Sequence, residues 1–413
     1  MAAVPLGKAA LAATGLAISA FIGRALGSEA FGLYAAATTT VTIFAGIVQH
    51  VADAAHLRAL DDPAGAGEAT IVHAGAALRA IGALVSILLV LGAALAASAL
   101  GLEVPFSGGM IAAICLGIAA TILMSAAQIV HQSRRHFLSY LGLDAAMYGL
   151  RVAGLAVLGT VGSLTATLAI LVHAAAPAFA ALIGRPHVRG RAGWDETRDA
   201  MRRMLRLGGW IGLAFVFSIL MSKVDLLLLV FYAPSSEAGL YAAAVNLAIV
   251  AEFAGAFLLV VSYPRVLGWY REGHLRRILG LFLLGGAPFA ALVGWIGTVW
   301  SVPIVTLVYG ASFAAAGPIF ALLLPATLLM MLVQPIAAPF INLRAPRTLC
   351  AIEAAALVST VILLLAAIPD HGALGAAFVV LVMRLAVGLI ILSWAWINAI
   401  PAEPAPGALQ QSR

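Results

Sequence analysis

Between Arg277 and Arg344 the chain carries no charged side chain, and the stretch between Arg79 and Glu103 is likewise uncharged. Runs of this length point to a bilayer, where one spanning helix needs about 20 apolar residues. Inside hydrocarbon every backbone N–H and C=O must be satisfied within the protein, which leaves helices and closed barrels. The runs lack the period-2 alternation of barrel strands, so helices are expected. Composition agrees: 63% of residues are hydrophobic and 10% charged, whereas soluble domains carry roughly a quarter charged residues. The mean hydropathy of +1.08 excludes a water-soluble enzyme or binding module.

Twelve spans are predicted near 4–22, 33–52, 77–98, 108–130, 140–160, 164–183, 207–231, 239–262, 278–300, 314–336, 349–368 and 374–397. The first is interrupted by Lys8 and resembles the apolar part of a signal peptide, but an internal repeat gives it a counterpart in span 7. Loops after even-numbered spans hold Arg58, Arg134, Arg135, the arginines of 185–206, Arg265, Arg271, Arg276, Arg277, Arg344 and Arg347; loops after odd-numbered spans hold only Arg24. Because Lys and Arg are retained on the cytoplasmic side of short loops, both termini are predicted to be cytoplasmic in a multi-pass inner-membrane protein. The net charge of +6 and pI near 9.7 then follow from orientation and from attraction to anionic membrane lipids. No nucleic-acid partner is implied.

The repeat is Ser28-Glu-Ala-Phe-Gly-Leu-Tyr-Ala-Ala-Ala37, which returns one residue shorter as Ser236-Glu-Ala-Gly-Leu-Tyr-Ala-Ala-Ala244. A second echo, Gly162-Ser-Leu164 and Gly372-Ala-Leu374, has nearly the same separation. The chain therefore reads as a duplicated unit. Its expected organisation is all-α: a six-helix lobe over 1–183, a basic cytoplasmic linker over 184–206, a second six-helix lobe over 207–397 and a cytoplasmic tail over 398–413. Six helices per unit is an even number, so the lobes should be related by a pseudo-two-fold along the membrane normal. Charges at helical spacing from Asp195 to Arg206 predict a short amphipathic helix on the inner membrane surface. Each repeat copy is placed in an outward turn, with Tyr34 and Tyr241 as interface anchors and the alanines allowing close packing.

Three segments carry a family resemblance: Arg24-Ala-Leu-Gly-Ser-Glu-Ala-Phe-Gly-Leu-Tyr34; Lys223-Val-Asp-Leu-Leu-Leu-Leu229 followed by Glu237-Ala-Gly-Leu-Tyr-Ala-Ala-Ala244; and Ile368-Pro-Asp-His-Gly-Ala-Leu-Gly-Ala-Ala377. In these the chain resembles the polysaccharide-biosynthesis flippases (O-antigen and exopolysaccharide type) of the multidrug/oligosaccharidyl-lipid/polysaccharide exporter superfamily. The resemblance implies a V-shaped alternating-access transporter whose central cavity is lined by spans 1, 2, 7 and 8. It implies as substrate a polyprenyl-pyrophosphate-linked oligosaccharide moved across the cytoplasmic membrane for cell-surface polysaccharide or lipopolysaccharide synthesis. Polysaccharide polymerase and glycosyltransferases are the implied neighbours in that process. No cofactor is expected, and no Gly-x-x-x-x-Gly-Lys-Ser/Thr stretch occurs.

Charges within apolar spans are costly, about 2.5–3.5 kcal/mol each on the insertion scale, and so mark cavities or partners. The cationic candidates for binding substrate are Arg24 at the outer end of span 1, Arg151 in span 5, Lys223 in span 7 and Arg384 in span 12. Arg24 and Lys223 are candidate pyrophosphate ligands, since an anion crossing a low-dielectric path needs fixed positive groups; interfacial anchoring and snorkelling are the bland alternatives. The resemblance puts Arg151 and Arg384 away from the central cavity, which favours structural pairing. Lys223 and Asp225, two residues apart on a helix, are expected to face different sides. Glu252 and Asp225 are candidates for proton or sodium coupling. His173 is expected to satisfy a neighbour, Glu353 to be interfacial, and Pro318, Pro325, Pro335 and Pro339 to kink or break span 10. Cys115 and Cys350 both fall in spans and suggest neither disulfide nor metal site.

Three classes of function compete. A lipid-linked oligosaccharide flippase is the first. A cation-coupled multidrug or metabolite exporter of the same fold is the alternative, although spans 1 and 2 contain no acidic residue. A membrane polymerase or glycosyltransferase needs a long outward loop or a carboxylate cluster; the outward loops are short and Asp61-Asp62 is a lone pair. The chain is therefore expected to be a transporter and not an enzyme.

Overall fold

The computed structural model describes residues 3–60, 66–101, 103–187, 190 and 192–400, and within its helices leaves the side chains of 3–6, 8–9, 208–211, 252–257, 260–261 and 263–264 outside the description. The first half comprises α1 (Ala3–Leu60), α2 (Glu68–Ala99), α3 (Gly108–Ser133), α4 (Phe137–Thr160) and α5 (Ala166–Ile183). The second comprises α6 (Trp194–Met221), α7 (Val224–Tyr232), α8 (Ser235–Arg271), α9 (Leu275–Val299), α10 (Ser301–Tyr309), α11 (Ala316–Val333), α12 (Ala337–Arg344) and α13 (Pro346–Asn398), with a 3-10 turn at Ala311–Phe313. No strand occurs among the described residues. Eight described helices are long and apolar enough to cross a membrane, or nine if 194–207 and 212–221 form one span bent by 66°.

Two helices exceed any single span. α1 has 58 residues and α13 has 53, or roughly 80–90 Å at 1.5 Å per residue against a hydrocarbon core of ~30 Å. Each is broken at one glycine in the left-handed region, Gly27 at φ 77° and Gly372 at φ 52°, a conformation that a Cβ disfavours. Both helices double back there. Gly15 and Thr39, roughly 36 Å apart along a straight helix, line one cavity. On α13, a Cβ at Gly375 would lie 2.8 Å from the carbonyl oxygen of Ala367, eight residues earlier.

The repeats are not turns, contrary to expectation. Ser28–Ala37 and Ser236–Ala244 are helical throughout; the reversal in α1 is confined to Gly27. Tyr34 and Tyr241, expected at the membrane interface, are 6% and 0% exposed. The small residues serve close packing, as expected. A Cβ at Gly32 would collide with the Ser235 carbonyl oxygen, and one at Gly239 with the Ser28 carbonyl oxygen, so α1 and α8 cross with their main chains in contact. The second echo meets the first in space: Glu237 Oε2 accepts a 2.6 Å hydrogen bond from the Ala373 N–H, one residue beyond Gly372.

Three other departures from regular helix matter. Span 7 is interrupted at Ser222–Lys223, between α6 and α7. The proline-rich span 10 breaks between α11 and α12, beside Pro335, as its composition predicts. The amphipathic linker helix exists as the start of α6, yet its apolar face is covered by protein rather than lipid: Ala200 and Met204 pack on Ala55 and Ala59 of α1 and Ile71 and Ala74 of α2.

Candidate functional site

A cavity of about 180 Å³ lies between the two halves. From the first half it is lined by Gly15, Ser19 and Tyr34 of α1, Tyr148 and Arg151 of α4, and His173 of α5. From the second half come Ser222, Lys223 and Asp225 at the α6–α7 break, and Tyr241 and Asn246 of α8. It thus brings together one cation from each half.

The break in span 7 explains why Lys223 and Asp225 share a cavity, correcting the expectation of opposite faces. Lys223 is the residue before α7, with non-helical φ −137° and ψ −14°, so the two side chains do not follow helical spacing. Asp225 sits in the first turn of α7, where the helix dipole favours a carboxylate. Its Oδ2 accepts a 2.5 Å hydrogen bond from the Tyr241 hydroxyl and its Oδ1 one of 2.8 Å from the Leu226 N–H. The repeat tyrosine of the second half therefore holds this carboxylate at the cavity wall.

Arg151 is not removed from the cavity, as the resemblance had suggested. It is 8% exposed, donates from Nη2 to the His173 carbonyl oxygen at 3.2 Å, and lies 5.6 Å from the centre of the Tyr148 ring. Its Nε is buried with no hydrogen-bond partner among the described residues. The ring of His173 meets the Tyr34 hydroxyl at 3.0 Å through Nδ1, the satisfied role expected for it. Asp144, one face along α4, accepts 2.8 Å from Gln128 Nε2.

A second cavity, of about 550 Å³, runs through the second half and shares Ser222, Lys223, Asp225, Tyr241 and Val245 with the first. Arg384 lines it and donates to the Thr327 hydroxyl at 3.2 Å. Glu353, expected at the interface, lines it too. Of the other candidates, Glu252 lies in α8 but its side chain falls outside the described residues.

Arg24 is not among the residues lining either cavity. It donates from Nε to the Val308 carbonyl oxygen at 2.9 Å and from Nη2 to that of Leu307 at 2.5 Å, satisfying end carbonyls of α10 that have no partner within their own helix. Nearby, Ser19 Oγ is 2.8 Å from the Tyr309 hydroxyl and accepts at 2.8 Å from Asn246 Nδ2. Phe31, Tyr309 and Phe313, all fully buried, pack with ring centres 5.3–5.9 Å apart. Together with the Gly32–Gly239 crossing, these contacts join the halves at the end of the molecule that carries Gly27.

Sequence reasoning missed one buried ion pair. Arg79, 2% exposed, pairs with Asp53 and donates to Ser125 Oγ at 3.3 Å and the Gly75 carbonyl oxygen at 3.2 Å. Both residues sat at or just beyond predicted span ends, where a charge reads as interfacial, whereas in the structure α1 continues as helix to Leu60. Ser19, Asn246 and Tyr309 were missed because the search for candidates inside the spans weighed charged side chains and passed over neutral polar ones. Among the described residues no group of three His, Cys, Asp or Glu could hold a metal ion.

The model of the family described as "Polysaccharide biosynthesis protein" matches residues 9–267. No curated protein matches the chain. Among solved structures, the chain is similar to the lipid II flippase MurJ in an inward closed conformation, with a TM-score of 0.72 and 13% identity over 96% of this chain and 87% of that one. It is also similar to an inward-facing multidrug resistance MATE family transporter of the MOP superfamily (0.67, 10%, 94% and 94%) and to a variant of the Vibrio cholerae MATE transporter VcmN (0.58, 16%, 96% and 93%). At these identities the likeness shows the fold. The chain thus belongs to the polysaccharide biosynthesis protein family, as a multi-pass membrane protein with the fold common to the MurJ flippase and the MATE transporters.

Proposed function

We propose that this protein is an alternating-access flippase that moves a polyprenyl-pyrophosphate-linked oligosaccharide across the bacterial cytoplasmic membrane. The observation that carries the reading is the cavity between the halves, where Arg151 from one side and Lys223 from the other face a shared space. Two cations in a low-dielectric site suit a doubly charged head, and the buried Nε of Arg151 is a donor available to it. In this reading the chain forms twelve spans in two six-helix lobes, over 1–183 and 207–397, related by a pseudo-two-fold. The linker 184–206 and the tail 398–413 lie in the cytoplasm with both termini. Arg384 receives the anion from the second cavity. Arg24 acts indirectly, by holding α10 when the Gly27 end is shut.

Alternating access requires that the contacts at the Gly27 end separate for release outside, while the cavity keeps its cations in both states. A gradient of protons or sodium ions drives the cycle through Asp225 or Glu252, and polymerase and glycosyltransferases act on either side of the transport step. The second reading, a cation-coupled multidrug or metabolite exporter, is favoured by one observation, the Asp225 carboxylate in the cavity wall. The test is transport of a lipid-linked saccharide by the full chain in vesicles. Lys223→Ala should abolish it with folding and expression intact. Retained transport sinks the assignment, and uptake of organic cations by the unaltered protein supports the exporter.

A further inference from the structure

His56 of α1 is 1% exposed, and neither of its ring nitrogens has a hydrogen-bond partner among the described residues. A polar ring buried in this way is unfavourable, because it has lost water and gained no replacement. The strain falls at one place in the fold. A Cβ on Gly75 of α2 would lie 3.0 Å from His56 Nδ1, 3.2 Å from Arg79 Nη1 and 3.7 Å from the terminal methyl of Met204. Imidazole, guanidinium and linker helix therefore converge on Gly75.

The charges around the ring come from several elements. α1 itself supplies Asp53, which pairs with Arg79. α2 supplies Arg79 and Glu68, the latter held by Arg134 at 2.7 Å. α3 reaches Arg79 through the neutral Ser125. α6 presents Ala200 and Met204, with Asp199 and Arg203 beside them in sequence. Burial and then the Arg79 guanidinium oppose a positive charge on the ring, and Glu68 favours one.

The linker helix is thus held on the first half by apolar contacts that cover an imidazole with no partner. Lifting Ala200 and Met204 away would admit water to the ring and let it take a proton. We propose that His56 is a proton-operated release catch, whose neutral ring permits the linker helix to lie on α1 and α2 and whose protonation favours the lifted helix. The inference is independent of what the protein transports. Its direction with pH is fixed, since an imidazole in water takes a proton near pH 6.5 and the covered ring resists it. Attachment is therefore complete above about pH 6.5 and weakens by up to about tenfold per pH unit below it.

The test uses the full chain in phosphatidylcholine nanodiscs, with Cys115 and Cys350 changed to Ala and a single Ala200→Cys probe under the linker helix. Its labelling rate with a membrane-impermeant maleimide is divided by that of the exposed Arg198→Cys at the same pH, which removes the thiol's own titration. With His56 in place the ratio should rise about tenfold or more from pH 7.5 to pH 5.0. His56→Leu and His56→Gln, neither of which titrates, should hold the ratio within about twofold over that range. In addition, His56→Leu should label more slowly than the parent at pH 7.5, because the ring without partners is gone. A flat ratio with His56 present overturns the proposal. So does a rise that persists in both variants, which would place the titration in another group. Faster labelling of His56→Leu at pH 7.5, with the ratio of His56→Gln still rising, would show that the imidazole supports the contact rather than opposing it, and also overturns the proposal.

Discussion

Gly32 and Gly239 occupy the same position in the two repeat copies and bring the main chains of α1 and α8 into contact, each glycine lying against the backbone of the other copy. The repeat therefore packs against itself. The glycine common to the two copies meets the same steric demand on each side, since a Cβ on either would push both helices apart.

Gly239→Val should loosen this crossing by about 1–3 kcal/mol, the usual cost of overpacking a tight contact. Thermal unfolding in detergent measures the loss. In the same variant, a cysteine introduced as Ser28→Cys should react faster with a membrane-impermeant maleimide. Unchanged reactivity and stability would show that the crossing does not hold the Gly27 end together.

Arg79→Met should destabilise the protein by about 3–5 kcal/mol, because it leaves the Asp53 carboxylate without its buried partner. The double change Arg79→Met with Asp53→Leu should recover most of this. A double variant no more stable than the single one would mean that the pair is held for packing rather than charge.

Glu237→Ala removes the acceptor for the Ala373 N–H at the start of the second arm of α13. A hydrogen bond to a charged group contributes about 1.5–3 kcal/mol, so a fall of that order in unfolding free energy is expected, with faster amide hydrogen exchange at Ala373. Glu237→Gln, which keeps an acceptor oxygen, should lose less.

Asp225→Asn should preserve the fold, since the amide oxygen can still accept from the Leu226 N–H while the amide NH2 donates to the Tyr241 hydroxyl oxygen, which reverses that one hydrogen bond. Under the coupling reading, its transport rate no longer responds to an imposed proton or sodium gradient. A response equal to that of the unaltered protein removes Asp225 from coupling.

The all-helical, membrane-spanning character and the repeated segments were legible because hydropathy and self-similarity act over many residues at once. Against twelve expected spans, however, only eight or nine described helices are long and apolar enough to cross a membrane. The uncharged run from Arg277 to Arg344 could only be membrane-embedded, and Gly372 was marked by its echo at Gly162. What failed were inferences that assumed regular helix. Lys223 and Asp225 appeared to diverge because two residues on an unbroken helix do so, and nothing in Ser222–Lys223 announces a break. Arg24 was read for its charge alone, and nothing local announced that its partners here are the end carbonyls of a helix nearly three hundred residues away in sequence. Arg151 was assigned outside the cavity by the resemblance, and only the packing of α4 and α5 against α1 brings it in. Such long-range partners are set by tertiary packing and leave no local trace.

The linker helix has a mechanical consequence. Its first stretch, 194–207, is fastened by Ala200 and Met204 to the first half, while 212–221 continues toward α7 after a bend of 66°. The connection between the halves is thus a bent helix docked on the first half, a bracket rather than a slack tether. An α-helix turns about 100° per residue, so inserting a single residue between the docked stretch and the elbow would rotate Ala200 and Met204 off their seat. Substitutions on the exposed side of this bracket are cheap, whereas a change in its length shifts the docked stretch in register against the part that continues toward α7.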